Sequence, residues 1–395
     1  MSDPKRPARL GVVCDFLEER WPSMDLIGEM VLAEVGSRHA STFALERVCP
    51  SFRYRLERLP LLGKKGVARN ADRLLNRFVD YPRAARTLAR ANRFDLFHLV
   101  DHSYSQLVHA LPSERVVVTC HDLDTFRCLL EPAAEPRPAW FRAMTRRILT
   151  GLQKAAAIAC DSEVTRDAIL AHGLVPAERL HVVYLGNSPE FQAGPDPEAD
   201  AEAARLLDVN PGSPQILHVG SNIPRKRVDV LLRVVARLRA THPNLRLVKV
   251  GGKFPPELQQ LVVELGLADA VVALPFIDRR VLAAVYRRVD LVLQPSEAEG
   301  FGLPVAEALG CGAPMVASGI PVLREVGGSI PLYAPVADID AWARAALQLL
   351  DERRHDPAAA EQRRQAGIER ARLFTWTHHA DQLAQIYEQV LARLN

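Results

Sequence analysis

Short, continuously apolar runs alternate with longer stretches of helical period from one end of the chain to the other. The first series reads RLGVVC (9–14), FDLFHLV (94–100), RVVVTCH (115–121), AAIAC (156–160) and HVVYL (181–185). The second reads QILHVG (215–220), LRLVKVG (245–251), AVVALPF (270–276), LVLQPS (291–296) and PMVAS (314–318). Runs without polar alternation are what parallel strands buried on both faces require. Intervening stretches such as VDVLLRVVARLRATH (228–242) supply the helical crossovers. The pattern predicts an α/β chain in which a doubly wound sheet occurs twice.

Between the two series, SPEFQAGPDPEADAEAARLLD (188–208) is rich in Pro, Asp, Glu and Ala, a composition that marks a linker followed by a short helix. The expected organisation is an N-terminal domain over 1–190, a linker over 191–211 and a second domain over 212–372. The helical run in 373–395 is expected to cross back to the first domain. Ligands of doubly wound sheets bind at the carboxyl ends of the strands, so two such sheets facing each other predict an interdomain cleft.

The length of 395 residues agrees with two domains of nearly equal size. A net charge of +3 is too small to argue for nucleic acid as a partner. No stretch approaches the roughly 18 to 20 apolar residues that span a bilayer, and the N-terminus lacks the apolar core of a signal peptide. The six cysteines are scattered without a CxxC pair, which points to reduced thiols packed as small hydrophobes in a cytoplasmic protein.

The most informative segment is EGFGLPVAE (299–307), which lies between the apolar run ending at Ser296 and a helical run. Pro304 suits a first helical turn, where its missing N–H has no partner to lose. A glycine-bearing turn at a helix start offers free amides and a positive dipole end to an anion. Glu299 at the mouth of the turn and Glu307 further along the helix are acceptor-only groups suited to hydroxyls. Together they point to a ligand with both phosphate and hydroxyls, as in a nucleotide sugar. The second series opens with HVGSNIPRKRVDVLL (218–232), where Arg225, Lys226 and Arg227 follow a strand end at Gly220. Three cations there can neutralise a diphosphate, arginine in a bidentate fork.

HVGSNIPRKRVDVLL together with PSEAEGFGLPVAEALGCGAPMVAS (295–318) resembles the C-terminal domain of the GT4 family of retaining glycosyltransferases, which have the GT-B fold. The likeness extends to ACDSEVTRDAIL (159–170), YLGNSPEF (184–191) and FTWTHHADQLAQIYEQVL (374–391), and thins over the first hundred residues. The resemblance implies that Glu307 binds the ribose hydroxyls and Glu299 the donor sugar. It implies that Gly220, Ser221 and the backbone around Gly300, Phe301, Gly302 and Leu303 hold sugar and phosphates. Lys226 with Arg225 would stabilise the diphosphate leaving group, and Phe276 and Ile277 would line the base pocket.

In the first domain His121 and Asp122 end an apolar strand, and the resemblance places His121 near the reacting sugar; His102 is a second strand-end histidine. Asp122-Leu123-Asp124 spells the DxD of metal-dependent GT-A enzymes, but two doubly wound halves argue against that fold and no metal is expected. The family's glycine-rich loop after the first strand is replaced here by Glu19-Arg20-Trp21-Pro22-Ser23-Met24, so the contacts of this domain depart from the pattern. Residues 53–93 hold a dense run of Arg and Lys with interleaved leucines, read either as a solvated helical face or as a surface for anionic lipid. Few aromatics accompany them, which discounts RNA.

The expectation is a metal-independent retaining transferase with no cofactor. It would move a hexose from a UDP- or GDP-sugar to a hydroxyl of a glycan, glycolipid or small glycoside, in glycan biosynthesis. The alternatives are another GT-B enzyme, such as a nucleotide-sugar epimerase, or an inactive nucleotide-sugar-binding protein. A dehydrogenase is disfavoured, because no G-x-G-x-x-G follows the first strand.

Overall fold

The structure is a computed structural model that describes residues 6–58, 65–207 and 213–394. The end of the expected linker (208–211) and part of the basic stretch (59–64) lie outside the described residues. The chain divides into two compact units, one made of Met1–Leu185 with Trp376–Asn395 and the other of Gly186–Thr375.

The first unit carries a six-stranded parallel sheet: β1 (Ala8–Val13), β2 (Phe43–Val48), β3 (Leu96–Leu99), β4 (Val116–Cys120), β5 (Ala157–Cys160) and β6 (Leu180–Val182). Their order across the sheet is β2-β1-β3-β4-β5-β6. The chain leaves β1 for one edge and returns to its other side at β3, which makes the β1/β3 boundary the topological switch point. Two differences from the sequence reading concern edges. Phe43–Val48 (FALERV) was not an expected strand, because an edge strand exposes side chains and here Glu46 and Arg47 interrupt the apolar run. The expected 181–185 run pairs only over its first residues, ending at Val182.

The second unit repeats the plan with β7 (Gln215–Val219), β8 (Arg246–Val250), β9 (Val271–Leu274), β10 (Leu291–Gln294), β11 (Met315–Ser318) and β12 (Leu332–Ala334). The order is β12-β11-β10-β7-β8-β9, so the switch point falls between β7 and β10. The three-residue edge strand β12 gave no apolar run long enough to be read in the sequence. Helices Val228–Arg239 and Ile339–His355 pack a core of Leu231, Val235, Leu238 and Trp342 onto one face of this sheet.

Gly251 shows how tightly the ends of β7 and β8 are held. Its φ is +121°, and a Cβ there would sit 2.2 Å from the Gly220 carbonyl oxygen. Gly252, with φ +100°, has nothing within reach of such a Cβ. Gly251→Ala is therefore expected to cost about 3 kcal/mol or more in urea unfolding, backbone strain plus a clash with main chain. Gly252→Ala is expected to cost about 1 kcal/mol, the strain alone. Equal costs would show that the close approach is not rigid.

The basic stretch divides in two. Arg55 pairs with Asp80 at 2.7 Å, and Arg73 and Arg77 both turn inward to Glu19, whose side chain is buried. Arg83, Arg86 and Arg90 on the helix Tyr81–Arg90 point outward. Among the described residues no helix is long and apolar enough to cross a membrane.

Candidate functional site

In the second unit the two motifs singled out in the sequence follow β7 and β10, the two strands that flank the switch point. Gly302 caps the helix Leu303–Gly310 with φ +97°, and a Cβ there would strike Leu323 at 2.6 Å. Glycine alone fits, and Pro304 follows in the first turn without losing a hydrogen bond. The residues after β7 turn through a short 3-10 segment, Pro224–Lys226, that delivers two cations to the neighbouring loop.

Lys226 Nζ meets both oxygens of Glu299, at 2.6 and 2.7 Å. Arg225 Nη1 donates to the Ala298 carbonyl at 2.8 Å and reaches Glu299 Oε2 at 3.4 Å. Gln294, the last residue of β10, donates to Glu299 Oε1 at 3.0 Å. The Glu299 side chain is only 5% exposed, and burial works against its charge, but Lys226 and Arg225 hold it below the usual carboxylate range. A buried carboxylate tied to an ammonium and a guanidinium forms a preset charged wall. Arg227 does not join it; it turns back to Asp229 and Glu297 at 3.0 and 3.1 Å.

Glu307 lies along the helix and accepts a hydrogen bond from Tyr286 Oη at 2.9 Å. Burial raises its carboxyl to about 7, with the Tyr286 bond opposing. Phe276 is 58% exposed at the carboxyl end of β9. An outward phenyl is not core packing, and it leaves an aromatic face open to a ligand. Sequence reasoning missed Gln294 and Tyr286. A glutamine closing an apolar strand was a visible signal for the first, whereas Tyr286 sits inside a helix with no local mark.

In the first unit His121 directly follows β4 with both ring nitrogens engaged, Nδ1 with Asp161 Oδ2 at 2.5 Å and Nε2 with the Val100 carbonyl at 2.8 Å. Two acceptors demand two N–H donors, hence an imidazolium. Burial opposes the charge, yet Asp161 and Asp101 raise the ring to about 9. His102 lies against it, its Nδ1 accepting from the His121 backbone N–H at 3.3 Å. Asp122 accepts from Asp124 N–H at 3.0 Å, a local turn contact. The loop that departs from the expected pattern puts Glu19 inward, Arg20 at φ +58° and Trp21 at 44% exposure.

Comparisons with known proteins bear on family and fold. The family model "Glycosyltransferase Family 4" matches residues 37–191, and "Glycosyl transferases group 1" matches 201–372. Similar curated proteins include the D-inositol 3-phosphate glycosyltransferases of Mycobacterium marinum and Mycolicibacterium smegmatis. The first is 36% identical over 237 residues, covering 57% of this chain and 48% of the relative. The second is 33% identical over 252 residues, covering 61% and 54%. The chain thus spans about half the length of the curated relatives it matches. Among solved structures, a sucrose-phosphate synthase from Thermosynechococcus elongatus superposes with TM-score 0.75 at 21% identity, over 98% of this chain and all of that one. Anabaena HepE, solved in complex with UDP and glucose, superposes with TM-score 0.70 at 16% identity, over 96% and 98%. At these identities the likeness is one of fold. The two family models, matching the two units in turn, and the repeated parallel sheets place the chain in one family: it belongs to the GT4-type glycosyltransferases of the GT-B fold.

Proposed function

We propose that the second unit binds a nucleoside diphosphate sugar and that the protein transfers the hexose to a hydroxyl acceptor with retention of configuration. The observation that carries this reading is the buried Lys226–Glu299 pair with Arg225, set between the strands of a topological switch point. Breaking the sugar–phosphate bond puts positive charge on the sugar and negative charge on the departing diphosphate. Lys226, Arg225 and the amides at Gly302 and Leu303 supply preset positive potential where that negative charge develops. These groups take the part that a divalent metal would otherwise play. Glu299 accepts from sugar hydroxyls, Glu307 from the ribose, and Phe276 with Ile277 flanks the base. His121 contributes a charged imidazolium, a sugar hydroxyl replacing Val100 as acceptor of the Nε2 hydrogen. The acceptor oxygen attacks on the face the diphosphate leaves, and a phosphate oxygen takes its proton.

Nucleotide binding tests the reading directly. Melting curves with UDP, GDP and ADP are expected to show a rise with one base, since a ligand bound only to the native state stabilises it. Slow release of that nucleotide from its hexose derivative is expected to follow. No rise with any of the three would sink the proposal.

A further inference from the structure

The carboxyl edge of the first sheet carries a second set of buried polar groups, unused in the reaction above. Val13 of β1 pairs with Leu99 of β3, so Asp15 and Asp101 emerge side by side, each two residues beyond its strand, at the switch point of this sheet. Asp15 is 4% exposed; its carboxyl hydrogen-bonds to Asp101, and its oxygens have no other partner. Burial and the adjacent Asp101 push its carboxyl well above the usual carboxylate range. Asp101 is itself ionised: burial opposes its charge, but His102, His121 and Arg77 bring its carboxyl down to about 2.

Further unpaired polar groups, both donors and acceptors, stand beside this carboxyl pair. His102 is 4% exposed. Its Nδ1 is an acceptor, so Nε2 carries the hydrogen; it has no hydrogen-bond partner, and Asp122 Oδ1 stands 3.8 Å away. Arg77 Nε and Asp161 Oδ1 are likewise buried without a partner. Native interiors leave few such groups, because each costs on the order of 1–3 kcal/mol. They are concentrated at the strand-end switch point, the position where doubly wound sheets bind their ligands.

The charges say what kind. Arg77 is matched by Glu19 at 3.6 Å and donates to the Ser103 carbonyl; His121 is matched by Asp161. Within this cluster a phosphate would bring two negative charges to cations already neutralised, beside the ionised Asp101. A hydroxyl donates to one group and accepts from another, which fits the mixed unpaired set without adding charge.

We propose that Asp15, Asp101 and His102 bind hydroxyls of an uncharged polyol, a cyclitol or sugar ring without phosphate at that position, and thereby select the acceptor. This rests on the transferase reading. It departs from the phosphorylated cyclitol named for the curated relatives.

The test uses the full chain and the hexose nucleotide that passes the melting and release assays, so failure of the transferase reading appears before any acceptor is added. Product is then followed by mass with myo-inositol, methyl α-D-glucoside and D-inositol 3-phosphate. The expected result is transfer to an uncharged polyol with kcat/KM at least tenfold above that for the phosphorylated one. Asp15→Asn, of the same shape, is expected to raise the KM for the polyol about tenfold, with a smaller change in kcat. Preference for the phosphorylated acceptor, or transfer to neither uncharged polyol while donor breakdown persists, overturns the proposal. An unchanged polyol KM in a folded Asp15→Asn overturns the assignment of Asp15.

Discussion

Lys226→Met is expected to lower nucleotide release from the donor by about a thousandfold in kcat, the scale of losing one preset charge at a developing anion. The same change should destabilise the fold. It strips the 2.6 Å partner from a carboxylate whose side chain is 5% exposed, leaving Arg225 at 3.4 Å as the remaining cation. Breaking one side of a buried pair typically costs about 3–5 kcal/mol, and Arg225 should hold the cost near the lower end. Glu299→Gln added to Lys226→Met removes the stranded charge. The double variant is therefore expected to recover much of the melting temperature and none of the turnover. This opposite behaviour separates the two roles of the pair, and a cycle of the four proteins measures it. Turnover within tenfold of the parent in Lys226→Met would mean that the ammonium serves the fold alone.

The difference in stability between the parent and Asp161→Asn should depend on pH. Against burial, Asp161, helped by Asp101 and the Val100 carbonyl, lifts the His121 ring from 6.5 to about 9. A raised folded value stabilises fully below pH 6.5, and that stabilisation is lost as the pH climbs through 9. The gap in unfolding free energy between parent and variant is expected to be at most about 3 kcal/mol at pH 6 and to narrow steadily toward pH 9. Glu307, lifted by burial to about 7, and Lys249, lowered by burial to about 8, titrate in the same window. Both are present in the two proteins, so they cancel in the difference. A gap that stays constant from pH 6 to 9 would show that His121 is not a charged ring.

Much of this was legible in the sequence, for a physical reason. Strands buried on both faces leave uninterrupted apolar runs, so both central sheets were visible, as was the glycine turn whose φ of +97° excludes other residues. What escaped was what local spacing does not encode. β2 and β12 lie at sheet edges, where polar residues are tolerated. Asp15 and Asp101 are 86 positions apart by their numbers and meet only through the β1–β3 pairing. Tyr286 and Glu307 belong to different helices. The inward turn of Arg73 and Arg77 onto Glu19 was equally hidden, because a run of cations looks alike whether it faces water or a buried acid.

The last helix, Trp376–Ala392, belongs to the first unit although the second lies between them in the chain. Its Tyr387 packs edge-on against Phe43 and donates to His98 Nδ1 at 2.7 Å, deep in the first sheet. On the ribosome this inverts the usual N-terminal-first order of assembly. The stretch from Gly186 to Thr375 is a continuous piece of chain, able to settle as soon as it emerges. The first unit must wait for Trp376–Ala392 before its interior closes. A messenger cut short just before Trp376 would thus yield a finished second unit joined to an unfinished first one, the species most exposed to quality-control proteases.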